Sequence, residues 1–181
     1  MKVFRCTAAA LFAGFLLLPA MLALPARADQ VSDFLAGVSN DCPGCDLSGA
    51  RLKRRNLAGA DLSGARLIGA NLHRADLTGA RLAGADLTDA DLNRTALQYA
   101  DLRGAVLKGA MLFEADLSRA DLRGVRAERA MMGSARFTRT DLTGADLSFA
   151  DLMDASMAEA GLTEADLRPA RLARANLRRA R

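Results

Sequence analysis

The fold is decided by a repeating stretch that reads ADLSG-ARLIG-ANLHR-ADLTG at residues 60–79. Each group of five residues begins with Ala, continues with a polar residue and has Leu at its third position. The same frame runs for 27 units from Cys45 to Arg179, with Ala at the first position of 22 of them. Leu is replaced at the third position only by Ala127, Met132, Phe137 and Met157. The architecture must therefore accommodate a period of five.

A period of five residues fits neither a straight helix nor a straight strand. A helix turns about 100° per residue, so successive Leu residues would move around its axis and form no apolar stripe. Side chains alternate along a strand, so every second Leu would face the wrong way. The conflict disappears if the chain turns a corner after every unit. Ala and Leu then point inward, the polar residue between them points outward, and the last two residues form the corner.

This pattern resembles the pentapeptide-repeat family, whose units have the form A(D/N)LXX. The resemblance covers residues 45–179 and implies an all-β fold, a right-handed quadrilateral β-helix in which four units close one coil. The 27 units then give about seven coils, stacked at the usual strand spacing of about 4.8 Å. No single unit buries its own Leu, so the stacking of neighbours provides the stability. We assign the β-helix to residues 45–181.

The first 28 residues have the composition of a signal peptide. Lys2 and Arg5 precede a long apolar run, and residues 26–28 read Ala-Arg-Ala, the small-x-small form of a cleavage site. We therefore predict a mature chain that begins at Asp29 and is exported, to the periplasm if the cell is Gram-negative. A retained membrane anchor is the alternative, but two prolines interrupt the apolar run.

Export changes the charge balance of the chain. The whole sequence has 25 basic and 21 acidic residues, but the predicted signal peptide removes Lys2, Arg5 and Arg27 and no acid, which leaves 22 against 21, a net charge of +1. Single-stranded nucleic acids are bound through basic grooves and stacking aromatic residues, and this chain has one Tyr and no Trp. We therefore expect no nucleic-acid partner.

Residues 29–44 precede the repeats and are predicted to form an N-terminal cap. A short amphipathic helix is indicated by apolar residues at i, i+3, i+4 and i+7, namely Val31, Phe34, Leu35 and Val38. The open end of a β-helix exposes unpaired strand edges, so we expect the apolar face of this helix to cover the first coil. A disordered leader is the alternative.

Cys42 and Cys45 join the cap to the repeats and are the only cysteines of the predicted mature chain. In an oxidising compartment we predict a structural disulfide that pins the cap. A thiol–disulfide redox centre is the alternative, because CxxC spacing permits it. Such centres need a lowered thiol pKa, and no thioredoxin-like βαβ pattern surrounds this pair.

Arg55 stands where other units place an inward Ala. An unpaired charge is not tolerated in a core, so we expect its side chain to reach the cap and pair with Asp33 or Asp41. Replacing Arg55 with Ala is then expected to leave stability nearly unchanged or to improve it. Val125 and Ala127 depart from the pattern together, since they exchange the small and the large inward position on one side of a coil, which roughly conserves volume.

The outward positions carry a series of aspartates that could suggest acid–base chemistry or calcium binding, namely Asp61, Asp76, Asp86, Asp91, Asp101, Asp116, Asp121, Asp141, Asp146, Asp151 and Asp166. Asp or Asn is the family's residue at this position, and its short side chain can bond nearby backbone. His73 is the only histidine, so any Ser-His-Asp arrangement would need it. We predict no enzyme, no metal site and no cofactor.

The side of the coil that carries Leu52 and every twentieth residue after it has a different surface. Its early coils display basic groups: Lys53, Arg54, His73, Arg74 and Arg94. Its later coils display the candidate interaction patch, namely Met111, Phe113, Met131 and Met153, with Phe149 at the adjoining corner. A contiguous apolar patch often marks an interface, and Met suits an adaptable one. Incidental surface is the alternative.

These observations favour a non-enzymatic exported scaffold or protein-interaction module whose partner the sequence does not name. Some members of the family resemble duplex DNA in shape and charge and bind DNA gyrase, which gives a second hypothesis that the export signal and the near-neutral charge oppose. A redox protein acting through Cys42 and Cys45 is the third. Self-association through the apolar side or the Arg-rich C-terminal end is a further expectation.

Overall fold

The structure, a computed structural model, describes residues 27–181. Helix α1 spans Arg27–Ala36, and the chain after it forms a coil with a turn every five residues. Each side of the coil contributes one residue to a parallel bridge, so the described residues contain single bridges in place of longer strands. The predicted signal peptide lies outside the described residues, apart from its last two positions.

The bridges show that four units complete one turn of the coil. They join residues 20 apart in the sequence, from Asp46 with Arg66 to Ser156 with Asn176. The backbone N–H of Leu47 donates to the carbonyl of Arg66 at 2.7 Å, and the N–H of Arg66 donates back to the carbonyl of Cys45 at 2.8 Å. Corners after every unit and a 20-residue register are therefore present as predicted.

The four sides are named here by their inward leucines. Side 1 carries Leu47, side 2 Leu52, side 3 Leu57 and side 4 Leu62, and each side continues at every twentieth residue. Residues 20 apart thus form columns that run along the coil axis. These columns decide which surface residues are neighbours.

The interior of the coil is filled by the first and third residues of each unit. Leu92 and Ala90 are fully buried, and Val125 and Ala127 are fully buried as well, in keeping with the predicted exchange of small and large positions. Thr95, at an inward Ala position, is also buried. Its hydroxyl donates to the carbonyl of Leu72 at 2.9 Å. A buried hydroxyl with a partner is tolerated in an apolar core.

The N-terminal cap differs in part from its prediction. Phe34 is fully buried and Val31 packs partly buried against the core, but Leu35 is 51% and Val38 77% exposed. The end of the helix explains the exposure of Val38. Gly37 has φ +80°, its N–H donates to Phe34 and the N–H of Val38 donates to Asp33, the pairing of a Schellman cap. Val38 therefore lies beyond the helix, and the expected four-residue apolar face is reduced to two residues.

Arg55 reaches the cap, but the predicted pairing with Asp33 or Asp41 is wrong. Its Nη2 donates to the carbonyl of Phe34 and, at 3.4 Å, to the carbonyl of Ser39. Burial lowers the pKa of the guanidinium. The Phe34 carbonyl, in the last turn of the helix, thus accepts from Arg55 as well as from the N–H of Gly37.

Candidate interaction surface

A groove lies on side 2 and is lined mainly by the side chains that the sequence singled out. Met111, Phe113, Met131 and Met153 line it, and its volume is about 450 Å³. Phe113 is 46% and Met131 48% exposed. Single exposed hydrophobic residues are ordinary on a protein surface, whereas four that share one groove form a contiguous apolar patch.

The repeat places these four side chains in two adjacent columns. Met111 and Met131 occupy the outward position and are bridge partners. Phe113 and Met153 occupy the corner position that follows the inward Leu. The N–H of Phe113 donates to the Oδ1 atom of Asn93 at 2.8 Å, so the corner that presents the ring is itself held by the coil before it.

Gly133 forms the floor of the groove, which the sequence-based prediction missed. It stands in the corner column between Phe113 and Met153, and a Cβ atom placed on it would lie 3.5 Å from the Phe113 ring and 3.7 Å from the Met153 carbonyl. The absence of a side chain at this position leaves the groove open. Counting by 20 along the sequence would have found it, since 113, 133 and 153 share one column.

The rim of the groove is polar and electrically balanced. Asn93, Ser134, Asp151 and Asp154 complete the lining. Asp151 pairs with Arg171 at 3.0 Å, and Asp154 accepts two hydrogen bonds from Arg174, at 2.6 and 2.8 Å. The hydrogen bond from Arg174 lowers the pKa of Asp154. Both aspartates at this end of the groove thus have a cationic partner.

Phe149 was predicted to belong to the patch, but it does not line the groove. It stands at the turn that precedes side 2, whereas Phe113 and Met153 stand at the turn that follows it. Phe149 is 58% exposed, and the guanidinium carbon of Arg129 lies 5.7 Å from its ring centroid. The two corners are separated by the width of side 2. Phe149 therefore does not reach the groove, although its corner adjoins the same side.

The first two coils of side 2 carry four exposed cations. Arg51, Lys53, Arg54 and Arg74 have exposed side chains, and none of them has an ion pair among residues 27–181. Acidic groups reach this side only further along: Asp91 lies 3.8 Å from His73, and Glu114 pairs with Arg94 at 2.8 Å. Side 2 is therefore basic at one end and apolar further along.

The outward aspartates serve the turns, as predicted. In all eleven that the sequence analysis named, Oδ1 accepts a hydrogen bond from the backbone N–H two residues further on. This is the Asx arrangement that stabilises corners. Within residues 27–181, no group of three or more His, Cys, Asp or Glu side chains is placed to hold a metal ion.

Cys42 and Cys45 are joined by a disulfide, with their Cα atoms 5.4 Å apart. Both side chains are fully buried. Exchange with another thiol requires a thiolate to reach one of the sulfurs, and burial prevents that approach. The site therefore favours the structural interpretation of the CxxC segment over a redox centre.

The described part of the chain offers no helix of the length and apolar character that a bilayer crossing needs. The predicted signal sequence falls largely outside that part. Its role in export stays a prediction.

The family model described as pentapeptide repeats matches eight copies, over residues 45–84, 56–94, 90–126 and 120–157. The chain belongs to the pentapeptide repeat family. The resemblance found in the sequence is thereby confirmed. The groove, the cap and the basic end of side 2 are features of this pentapeptide repeat protein that the common unit does not specify.

Solved structures of this family resemble the chain. HetL from the cyanobacterium Nostoc sp. strain PCC 7120, a pentapeptide repeat protein involved in heterocyst differentiation regulation, is 36% identical with a TM-score of 0.55, covering 77% of this chain and 69% of HetL. A pentapeptide repeat protein from the thylakoid lumen of Arabidopsis thaliana is 28% identical with a TM-score of 0.36, covering 66% of this chain and 74% of its own. No protein of the curated collection matches the chain significantly.

QnrB1, a plasmid-mediated fluoroquinolone resistance protein, is also among the similar structures. It is 20% identical with a TM-score of 0.38, covering 79% of this chain and 80% of QnrB1. An identity and a TM-score this low carry no argument for a shared partner.

Proposed function

We propose that this pentapeptide repeat protein is an exported, non-enzymatic scaffold that binds another protein through the groove on side 2. The observation that supports the proposal is the shared groove of Met111, Phe113, Met131 and Met153. Large apolar side chains that meet in a pocket are the usual anchors of a protein interface. Flexible Met side chains adapt to the shape of a partner.

The other parts of the proposal have separate support. Export is supported by the signal-peptide composition of residues 1–28. A right-handed sense of the coil is supported by membership of the family. A non-catalytic role is supported by the outward aspartates, because their Oδ1 atoms accept hydrogen bonds from the backbone of the turns. Self-association through side 2 would use the same apolar groups.

The experiment is a crosslinking capture from intact cells, with the exported, signal-cleaved protein as bait. The test variant is Met111→Ser/Phe113→Ser, which removes apolar contact at the groove without touching the core. Tyr99→Ser is the matched control, because Tyr99 is 57% exposed at a corner of side 3. We expect a partner that the wild type and the control capture and that the groove variant loses.

Two results would contradict the proposal. An unchanged capture profile for the groove variant would show that side 2 is not the binding surface. Capture of DNA gyrase alone would place the protein in the cytoplasm and favour the DNA-mimic hypothesis instead. Sequencing the N-terminus of the mature protein tests export separately, with Asp29 as the expected first residue.

A further inference from the structure

The groove on side 2 has a charged neighbour that the proposed function does not use. Arg51, Lys53, Arg54 and Arg74 lie on the same side, in the two coils that precede the start of the groove at Asn93, with exposed side chains. Elsewhere on the surface, cations are commonly neutralised by the coil before or after, as Arg139 is by Glu159 at 2.8 Å. The four cations of side 2 have no such acidic partner among the described residues.

The two regions lie in line along the coil axis. Arg54, Arg74 and Arg94 occupy one corner column, and Phe113 and Met153 occupy the column beside it. Leu52 and Leu152 lie on the same side in coils that are five apart, which at about 4.8 Å per coil is a distance of roughly 24 Å along the axis. An extended polypeptide advances about 3.3 Å per residue and covers this distance with about seven residues.

We propose that side 2 binds an extended segment of a partner protein that is acidic at one end and apolar at the other. The acidic end lies against Arg54 and Arg74, and the apolar side chains enter the groove beside Phe113. Complementary charge fixes the direction of such a segment and speeds its association, while the apolar anchors provide most of the affinity. This inference rests on the proposed function and specifies the chemistry of the partner.

The distribution of charge along side 2 argues for a segment with two different ends. Asp151 and Asp154, at the far end of the groove, are already paired with Arg171 and Arg174, so that end offers no free charge to a ligand. A uniformly charged polyanion such as nucleic acid would find its cations at one end only. An all-apolar ligand would leave the basic end unused.

The test is fluorescence polarisation of labelled seven-residue peptides with the signal-cleaved protein. The probe DEESLFL carries the acidic and the apolar end, NQQSLFL removes the charge, and DEESSSS removes the apolar anchors. The basic-end variant is Arg54→Glu/Arg74→Glu, and the groove variant is again Met111→Ser/Phe113→Ser. Arg178→Glu/Arg179→Glu is the control, because it reverses two cations of another corner.

We expect DEESLFL to bind more than tenfold tighter than either altered peptide, with an affinity that falls as salt rises. The affinity of the basic-end variant for DEESLFL should fall at least tenfold, and its affinity for the charge-reversed peptide KRKSLFL should rise. The affinity of the control variant for DEESLFL should change less than twofold. Equal binding of DEESLFL by the wild type and the basic-end variant would overturn the inference. If the captured partner were nevertheless lost by the groove variant, the proposed function would stand without it.

Other occupants of side 2 give distinct results. Sedimentation with anionic phosphatidylglycerol vesicles, lost in the basic-end variant, would assign the surface to a membrane and overturn the inference. A dimer by light scattering that the groove variant dissociates would assign it to a second copy of the chain. Absence of binding by DEESLFL to protein with wild-type thermal stability would also count against it.

Discussion

The guanidinium carbon of Arg55 lies 4.3 Å from the centroid of the Phe34 ring. This contact joins the first coil to the helix that covers it, and the same guanidinium donates to the carbonyls of Phe34 and Ser39. A residue at an inward position of the repeat thus holds the cap in place. The buried disulfide between Cys42 and Cys45 lies where the cap segment joins the first coil.

Arg55→Ala is expected to destabilise the cap, contrary to the expectation from sequence alone. Hydrogen bonds from a charged donor contribute about 1.5–3 kcal/mol each, but the partial burial of the charge offsets part of this gain. We expect a loss of about 1–2 kcal/mol in the free energy of unfolding, measured in urea. Arg54→Ala is the control, since Arg54 is exposed and forms no ion pair with any residue between 27 and 181; equal effects of both variants would refute the role of Arg55.

Val125 and Ala127 are expected to be coupled. Val125→Ala leaves a cavity, and Ala127→Leu overfills the core at a cost of about 1–3 kcal/mol. The double variant restores the common Ala-x-Leu unit and should cost less than the sum of the two single changes. A double-mutant cycle in denaturant measures the coupling, and strict additivity would show that the two side chains do not share space.

The repeat made much of this fold predictable from the sequence. A five-residue period with Ala and Leu at fixed places requires corners. Because four units complete one coil, residues 20 apart in the sequence are neighbours on the surface. Met111 and Met131 could be placed together for this reason. Gly133 could have been placed beside Phe113 by the same reasoning. It was missed because a glycine has no side chain and adds nothing to an apolar pattern.

The features that escaped prediction lie where the repeat gives no guidance. Val38 was assigned to the helix face because periodicity does not reveal the glycine cap that ends the helix before it. Arg55 was expected to pair with a carboxylate, whereas its guanidinium donates to the backbone carbonyls of Phe34 and Ser39. Phe149 was grouped with the patch because column counting does not measure the width of a side. The end of a helix, the acceptor that a long side chain reaches and the width of a side are not specified by the five-residue spacing.

Low pH should lower the stability of the protein through the protonation of Asp61. The hydrogen bond from Arg81, aided by Ser63, lowers the pKa of Asp61 to about 2, below its ordinary value of 3.8. The stabilisation is therefore fully present above pH 3.8 and is lost as the pH falls towards 2. We expect the thermal midpoint to fall over this window, and to fall less in Asp61→Asn.

Arg81→Gln provides the control for this acid effect. It removes the donor that is the largest cause of the lowered pKa, so the carboxyl of Asp61 should titrate closer to its ordinary value by NMR. A pKa for Asp61 that does not change in this variant would assign the shift to the turn hydrogen bonds alone.

The disulfide is expected to behave as a structural bridge. Because Cys42 and Cys45 are fully buried, glutathione should leave the bond intact in the native protein and reduce it only after denaturation. Thiol labelling before and after guanidinium treatment measures this. Rapid reduction of the native protein, with a potential close to that of catalytic dithiols, would instead support the redox hypothesis.

Glycine at a corner should contribute stability through its backbone alone. Gly144 has φ +65°, and apart from its two chain neighbours no atom of the described residues lies within 4 Å of the position of an added Cβ, so Gly144→Ala adds strain without a clash. The left-handed region costs an L-residue about 1–2 kcal/mol, although the unfolded chain of an Ala variant has less entropy to lose. We expect a net loss of roughly 1 kcal/mol in the free energy of unfolding.

Gly133→Ala is the matched control for this prediction. Gly133 does not adopt a positive φ, and its added Cβ would make ordinary contact with Phe113 at 3.5 Å, so the variant should be neutral or slightly stabilising. Sixteen corners already hold a residue other than glycine at positive φ, Arg74 and Glu164 among them. The fold therefore tolerates this strain repeatedly, and a loss equal in both variants would show that φ is not its cause.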